Sequence, residues 1–316
     1  MSEGQAGAGR KRLVFQRVVE ELGKRPQEDG DADDFWSLVF FELANVPLVG
    51  YQIPPNNEVT ITVQQDMTAC GKHTGGIVWE TSYLLLNYLL AQQKQLGKVL
   101  EVGAGCGLLG QVLAASGISE AVVLTETSAA MENLQSNLGR NAAAFGLKST
   151  PTAQKLDWID HMKDASDACL EPQSFDTLVG TDVIFTSSLV EPLLATLSHM
   201  AKAETGIVFL CLQVRCKDSH DLFLAKSKNY GWQVDDITEH LSSIEDCQWG
   251  LAMECCLLKL LRIPGFSAPA RAVKPAGSKK KKKHRKRKAC KQEDQKQKHQ
   301  KKGKGRKKEK KKRGSV

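Results

Sequence analysis

Residues 99–110 join an apolar run to four glycines, Gly103, Gly105, Gly107 and Gly110. Glycines at such positions tolerate positive φ and let ligand atoms approach bare backbone. The stretch from Gly105 to Gly110 fits the GxGxxG pattern of dinucleotide sites, which is weak by itself. Glu101, two residues before Gly103, separates the candidate ligands. A pyrophosphate is held by backbone N–H groups and the positive end of a helix, and a neighbouring carboxylate opposes it. S-adenosylmethionine has no phosphate; its sulfonium and α-ammonium are cations that an acid at Glu101 favours directly or through water. The bland alternative is a glycine turn that binds nothing, and the residues downstream speak against it.

Glu126 lies about 20 residues past the glycines, at the end of the next apolar run, where an acid accepts hydrogen bonds from ribose hydroxyls. An ordinary acid at a helix N-terminus is the competing explanation. Asp157 and Trp158 supply an acid and a flat apolar ring, suited to an adenine amine and face; a surface acid and a core tryptophan explain them equally well. Thr181, Asp182 and Phe185 follow a fourth apolar run.

These residues need an α/β scaffold. Alternating Val59–Gln65 predicts a half-buried strand. Residues 71–76 predict a turn, and residues 81–90 a helix with Leu84, Leu85, Tyr88 and Leu89 on one face. A strand ending at Val102, the glycine turn and a helix over 108–115 open a doubly wound unit. Further strands are expected at 121–124, before 156–158, at 175–181, at 206–214, at 232–237 and at 250–261, and helices at 127–138, 189–200 and 221–227. The expected fold is a Rossmann-like, doubly wound, mostly parallel sheet of seven strands.

Charge is divided unevenly. Residues 278–316 hold 22 of the 44 Lys+Arg and 3 of the 36 Asp+Glu, so this tail carries +19 and the remainder −11. A tail so charged and free of aromatic residues is expected to be disordered. The expected organisation is a partly disordered leader over 1–58, with a short helix at 15–22, a folded domain over 59–262, and a linker and basic tail over 263–316. Nine cysteines show no CxxC pair and no zinc spacing, which points to a reducing compartment and no metal. The first residues lack a signal-peptide core, and no apolar run spans a bilayer.

Together these residues resemble the class I, seven-strand, S-adenosylmethionine-dependent methyltransferases, and more narrowly the protein-lysine methyltransferases of the methyltransferase-like 21 group. The resemblance covers roughly 59–262 and rests on several motifs: Trp79-Glu80 before a helix; Glu101, Gly103, Gly105 and Gly107; Glu126, with Asn133 and Asn137 downstream; Leu156-Asp157-Trp158; Asp182 and Phe185; and Arg215 after the fifth strand. It implies that Trp79, Gly103, Ala104, Gly105, Glu126, Trp158 and Thr181 line the cofactor site. It also implies that Asp182 and Phe185 wall the acceptor amine. Two departures stand out: Phe185 replaces the more usual Tyr, and Glu126 a more usual Asp.

The implied activity is transfer of a methyl group to a lysine of a protein substrate, expected of a monomer; the Lys/Arg runs of the tail point to the nucleus or nucleolus alongside the cytoplasm. Rival classes are an RNA or small-molecule methyltransferase and a non-catalytic module tethered to RNA by the tail. The loop 181–185 lacks the prolines of the base-stacking N/D-P-P-Y/F loop. The intact glycine loop argues against a vestigial fold.

Overall fold

The computed structural model describes residues 39–54, 58–69, 72–145, 150–163, 170–244, 247 and 249–266. The expected leader helix at 15–22 and the basic tail lie outside them.

Seven strands form one sheet in the order β5-β4-β3-β6-β7-β9-β8. The strands are β3 (Lys98–Val102), β4 (Ala121–Glu126), β5 (Thr152–Lys155), β6 (Thr177–Thr181), β7 (Ile207–Gln213), β8 (Trp232–Asp236) and β9 (Cys255–Arg262). The first five run parallel, with Leu100 opposite both Val123 and Leu178. Strand β9 is inserted antiparallel between β7 and β8. The number of strands expected from sequence is observed. The last one begins five residues later than expected, because Trp249–Ala252 forms a short helix first.

Apolar residues on consecutive strand positions face opposite sides, as the two-residue period requires. Val99 joins one core beneath helices α1 (Thr81–Gln92) and α2 (Leu108–Ala115). Leu100 and Val102 join the other, which includes Leu193, Leu197 and Phe223 from α5 (Ser187–Met200) and α6 (Lys217–Ser227). Helix α3 (Met131–Arg140) follows β4, and the short α4 (Trp158–Lys163) follows β5. The four residues expected on one face of α1, Leu84, Leu85, Tyr88 and Leu89, are all buried, and burial extends beyond them. Six consecutive residues, Thr81 through Leu86, are buried, as are Tyr88 and Leu89.

A separate two-stranded antiparallel sheet pairs β1 (Leu48–Gln52) with β2 (Thr60–Gln64). Strand β2 was expected to be half buried; instead Ile61, Thr62 and Val63 are all buried. Its backbone edge is closed by α3 and the residue after it. Asn141 accepts from the Thr62 N–H and donates to its carbonyl, and Asn137 does the same for Gln64, so two amides imitate a neighbouring strand. Val39, Phe40 and Leu43, just ahead of β1, are buried in the same core as α1.

Candidate functional site

Parallel strands β3 and β6 lie side by side, while their crossovers leave in opposite directions along the sheet. Ligands of such sheets bind at the carboxyl ends of the strands where the order reverses. A cavity of about 330 Å³ opens there. The ladder continues into its loops: the Ala104 N–H donates to Thr125, that of Leu156 to Glu126, and that of Asp182 to Cys211. Backbone bonds therefore fix the three loops that carry the expected site residues.

The glycine loop forms the cavity floor with Gly103, Ala104, Gly105 and Gly107. At Gly103, φ is +66°, and a Cβ would sit 3.1 Å from Val183 and 3.4 Å from the Trp158 ring. Glu126, Asp157 and Trp158 line one end. Burial raises the Glu126 carboxyl above its usual range, and one of its oxygens accepts from the Thr127 N–H. Asp157 Oδ1 accepts from the Ile159 and Asp160 N–H groups at 2.9 and 3.1 Å, so it caps α4 as well as facing the cavity. Trp79, Thr181, Asp182 and Phe185 line the rest of the wall.

Glu101 is the exception. The two-residue period puts it on the same side as Val99, against α2, and it does not line the cavity. Its Oε2 accepts the Gly110 N–H at 2.9 Å. The N-cap of α2 is Gly107, which has no side chain to offer, so the carboxyl delivered by β3 takes that place. Gly110 is required for this approach, because a Cβ there would lie 2.4 Å from Glu101 Oε2. Burial pushes the Glu101 carboxyl up from 4.5 to about 8. The role expected of Glu101 from sequence lies toward a cationic ligand, directly or through water; in the fold its Oε2 makes a structural bond to α2 and the side chain is not part of the cavity wall.

Asp182 is held more firmly than its sequence context suggests. It adopts φ +50°, a left-handed conformation uncommon outside glycine. Oδ2 accepts from Thr81 Oγ1 at 2.8 Å, and Oδ1 accepts from the Gln213 N–H at 2.9 Å. Arg215 Nη1 lies 3.0 Å from Oδ1. A carboxylate offers about four acceptor positions, so one on Oδ2 is left for a ligand. Phe185 stands at the mouth, 42% exposed.

Several contributors escaped the sequence reading. Gly75 packs against Gly105, its Cα 3.4 Å from where a Gly105 Cβ would be, so Gly75, within the expected turn, lies over the glycine loop. Thr74 accepts from the Trp79 indole N–H at 3.2 Å. Ser82 lines the cavity and bonds Thr181 at 3.1 Å. Cys106 also lines it; its thiol donates to Gly76, and burial pushes it up to about 12. The doublet Gly75-Gly76 was the one available signal; the others depend on distant parts of the chain coming together.

A bare glycine floor, an acid after the second parallel strand, and an indole beside the floor make a nucleoside-binding cavity without a built anion site. This is the arrangement of a class I, S-adenosylmethionine-dependent methyltransferase. Residues 55–229 match the profile of the lysine methyltransferase family, and the chain belongs to that family. Its methyl donor is S-adenosylmethionine. It is 30% identical over 154 residues to protein N-lysine methyltransferase METTL21A of Mus musculus, covering 48% of this chain and 66% of that protein. It is 27% identical over 222 residues to protein-lysine methyltransferase METTL21E of Mus musculus, covering 66% of this chain and 84% of that one. Among solved structures it is similar to the CurJ carbon methyltransferase, with a TM-score of 0.41 at 14% identity, covering 58% of this chain and 55% of that one. Among the described residues no helix is long and apolar enough to cross a membrane.

Proposed function

We propose that this chain is a protein-lysine N-methyltransferase in which Asp182 and Phe185 receive the lysine side chain. The observation that carries the reading is that the 181–185 loop and the glycine loop share one cavity. The bound cofactor supplies a methyl group on a sulfonium, open to in-line attack by an amine. Glu126 serves the ribose hydroxyls, Trp158 the adenine face, Asp157 the adenine amine, and Trp79 with Thr181 the remaining wall. The backbone of Gly103, Ala104, Gly105 and Gly107 gives the room.

A free lysine amine has a pKa of ~10.4 and must lose a proton before it can attack. Partial desolvation against Phe185 favours the neutral form. The free acceptor position on Asp182 Oδ2 then takes one amine N–H and turns the nitrogen lone pair toward the methyl group. Positioning of this kind supplies much of the rate of a displacement reaction.

The methyltransferase domain extends over 59–262 and acts as a monomer. The tail of 278–316, with its net +19, is a nuclear or nucleolar address. It also contacts RNA through phosphate alone, since it has no aromatic residue to stack on a base.

The test is incubation of the full chain with labelled S-adenosylmethionine and a cell extract, followed by mass spectrometry of the labelled band. Modified lysine is expected. Label confined to RNA would overturn the proposal. Asp182→Asn is expected to cut transfer about 100-fold while leaving cofactor affinity nearly unchanged. Phe185→Tyr, which offers the amine a further hydrogen bond, is expected to change transfer by no more than about tenfold.

A further inference from the structure

Arg215 does not line the cavity, yet it touches two residues that do. Its guanidinium lies over the Trp79 ring, 4.5 Å from the centroid. One arm, Nη1, meets Asp182 Oδ1 at 3.0 Å, and the other, Nη2, bonds Glu80 Oε1. The side chains of Glu80 and Asp182 are each only 8% exposed. Glu80 and Trp79 are neighbours at the start of α1, Asp182 follows β6, and Arg215 follows β7. A single planar cation thus joins three elements around the mouth of the site.

We propose that Arg215 is a positioning residue for methyl transfer, fixing the cofactor wall through Trp79 and the acceptor wall through Asp182 as one rigid unit. Three features support this over an ordinary ion pair. The two acids face each other across the guanidinium, so the single positive charge balances only one of them. Without it, two nearly buried carboxylates repel and part, and Asp182 swings away from its bond with the Gln213 N–H. The ring contact needs a flat cation, which distinguishes arginine from lysine. Among the described residues the Trp79 side chain otherwise has one hydrogen bond, from its indole nitrogen to Thr74, and that bond leaves the ring free to tilt about it. Arg215 therefore removes a freedom from each wall at once, and the distance between the methyl group and the amine depends on both.

The proposal rests on the reading of Asp182 as the amine-facing wall, and the variants separate the two. The full chain is used throughout. S-adenosylmethionine affinity is measured by calorimetry, and transfer at saturating S-adenosylmethionine by labelling of protein in a cell extract. Arg215→Ala is expected to weaken cofactor affinity roughly three- to tenfold, the size of a partly exposed cation–π contact. It is expected to slow transfer about 100-fold. Arg215→Lys keeps the charge and is expected to melt with the wild type, yet to recover only part of the transfer. Trp79→Ala combined with Arg215→Ala is expected to bind cofactor no worse than Trp79→Ala alone. Wild-type affinity and transfer in Arg215→Ala would overturn the proposal. So would full transfer in Arg215→Lys, or additive losses in the double variant, since the pair would then be a structural one. Normal transfer in Asp182→Asn would instead remove the acceptor-wall reading, whatever Arg215 does.

Discussion

Glu101→Gln tests whether the buried acid under the glycine loop is a structural group. The wild-type carboxyl is 2% exposed and sits at about 8 in the folded chain, against 4.5 ordinarily. Between those two values the native state holds a proton that the unfolded chain has released. Stability is therefore fully present below the lower value and falls as pH rises toward the upper one. Between about pH 6 and pH 8 the loss works out at about 2 kcal/mol for this one group. For a domain of this size that is roughly 4–8 °C of melting temperature. Glutamine keeps a carbonyl oxygen for the Gly110 N–H but does not titrate. Its melting temperature should lie below the wild type at low pH, by the cost of an extra unsatisfied N–H, and the two curves should converge or cross as pH rises. Glu80 and Glu126, also raised by burial, titrate in both proteins and cancel in the difference. Thermal melting of both proteins across this range, without ligand, is the assay. Parallel curves would refute the reasoning, because Glu101 would then ionise alike in the folded and unfolded chains.

Three further outcomes are expected. Gly105→Arg should abolish the calorimetric heat of S-adenosylmethionine binding, because φ is +54° and a Cβ there already lies 3.3 Å from the Gly75 carbonyl. Asn137→Ala should cost about 2 kcal/mol in urea unfolding, since it strands the half-buried Gln64 N–H and the buried Cys106 carbonyl, while the Gln64 carbonyl keeps its bond from Asn133. Truncation after Gly277 should leave methyl transfer to an isolated protein substrate intact while the protein spreads out of the nucleus, and should abolish any RNA affinity that falls steeply with salt.

The sequence by itself determined the elements and the floor of the site. Strand β3, the glycine turn and α2 were legible because an apolar run, glycine and an apolar helix are local signals, and α2 falls on the expected residues 108–115. Glu126, Asp157, Trp158, Thr181, Asp182 and Phe185 could be placed at the cavity for a topological reason. In a parallel sheet every strand's carboxyl end faces the same edge, so residues following strands must converge. Only the tertiary structure decided where those side chains spend their hydrogen bonds. Glu101 turned from the ligand to the end of α2, because alternation along β3 and a glycine N-cap left a buried donor for it to meet. Thr81, Gln213 and Arg215 closed around Asp182 from positions 31 to 101 residues away in the chain. The free edge of strand β2 was taken up by the amides of Asn137 in α3 and Asn141 just past it, more than 70 residues later. No local pattern encodes such pairings: a side chain's type limits what it can bond, but burial and the packing of distant elements choose the partner.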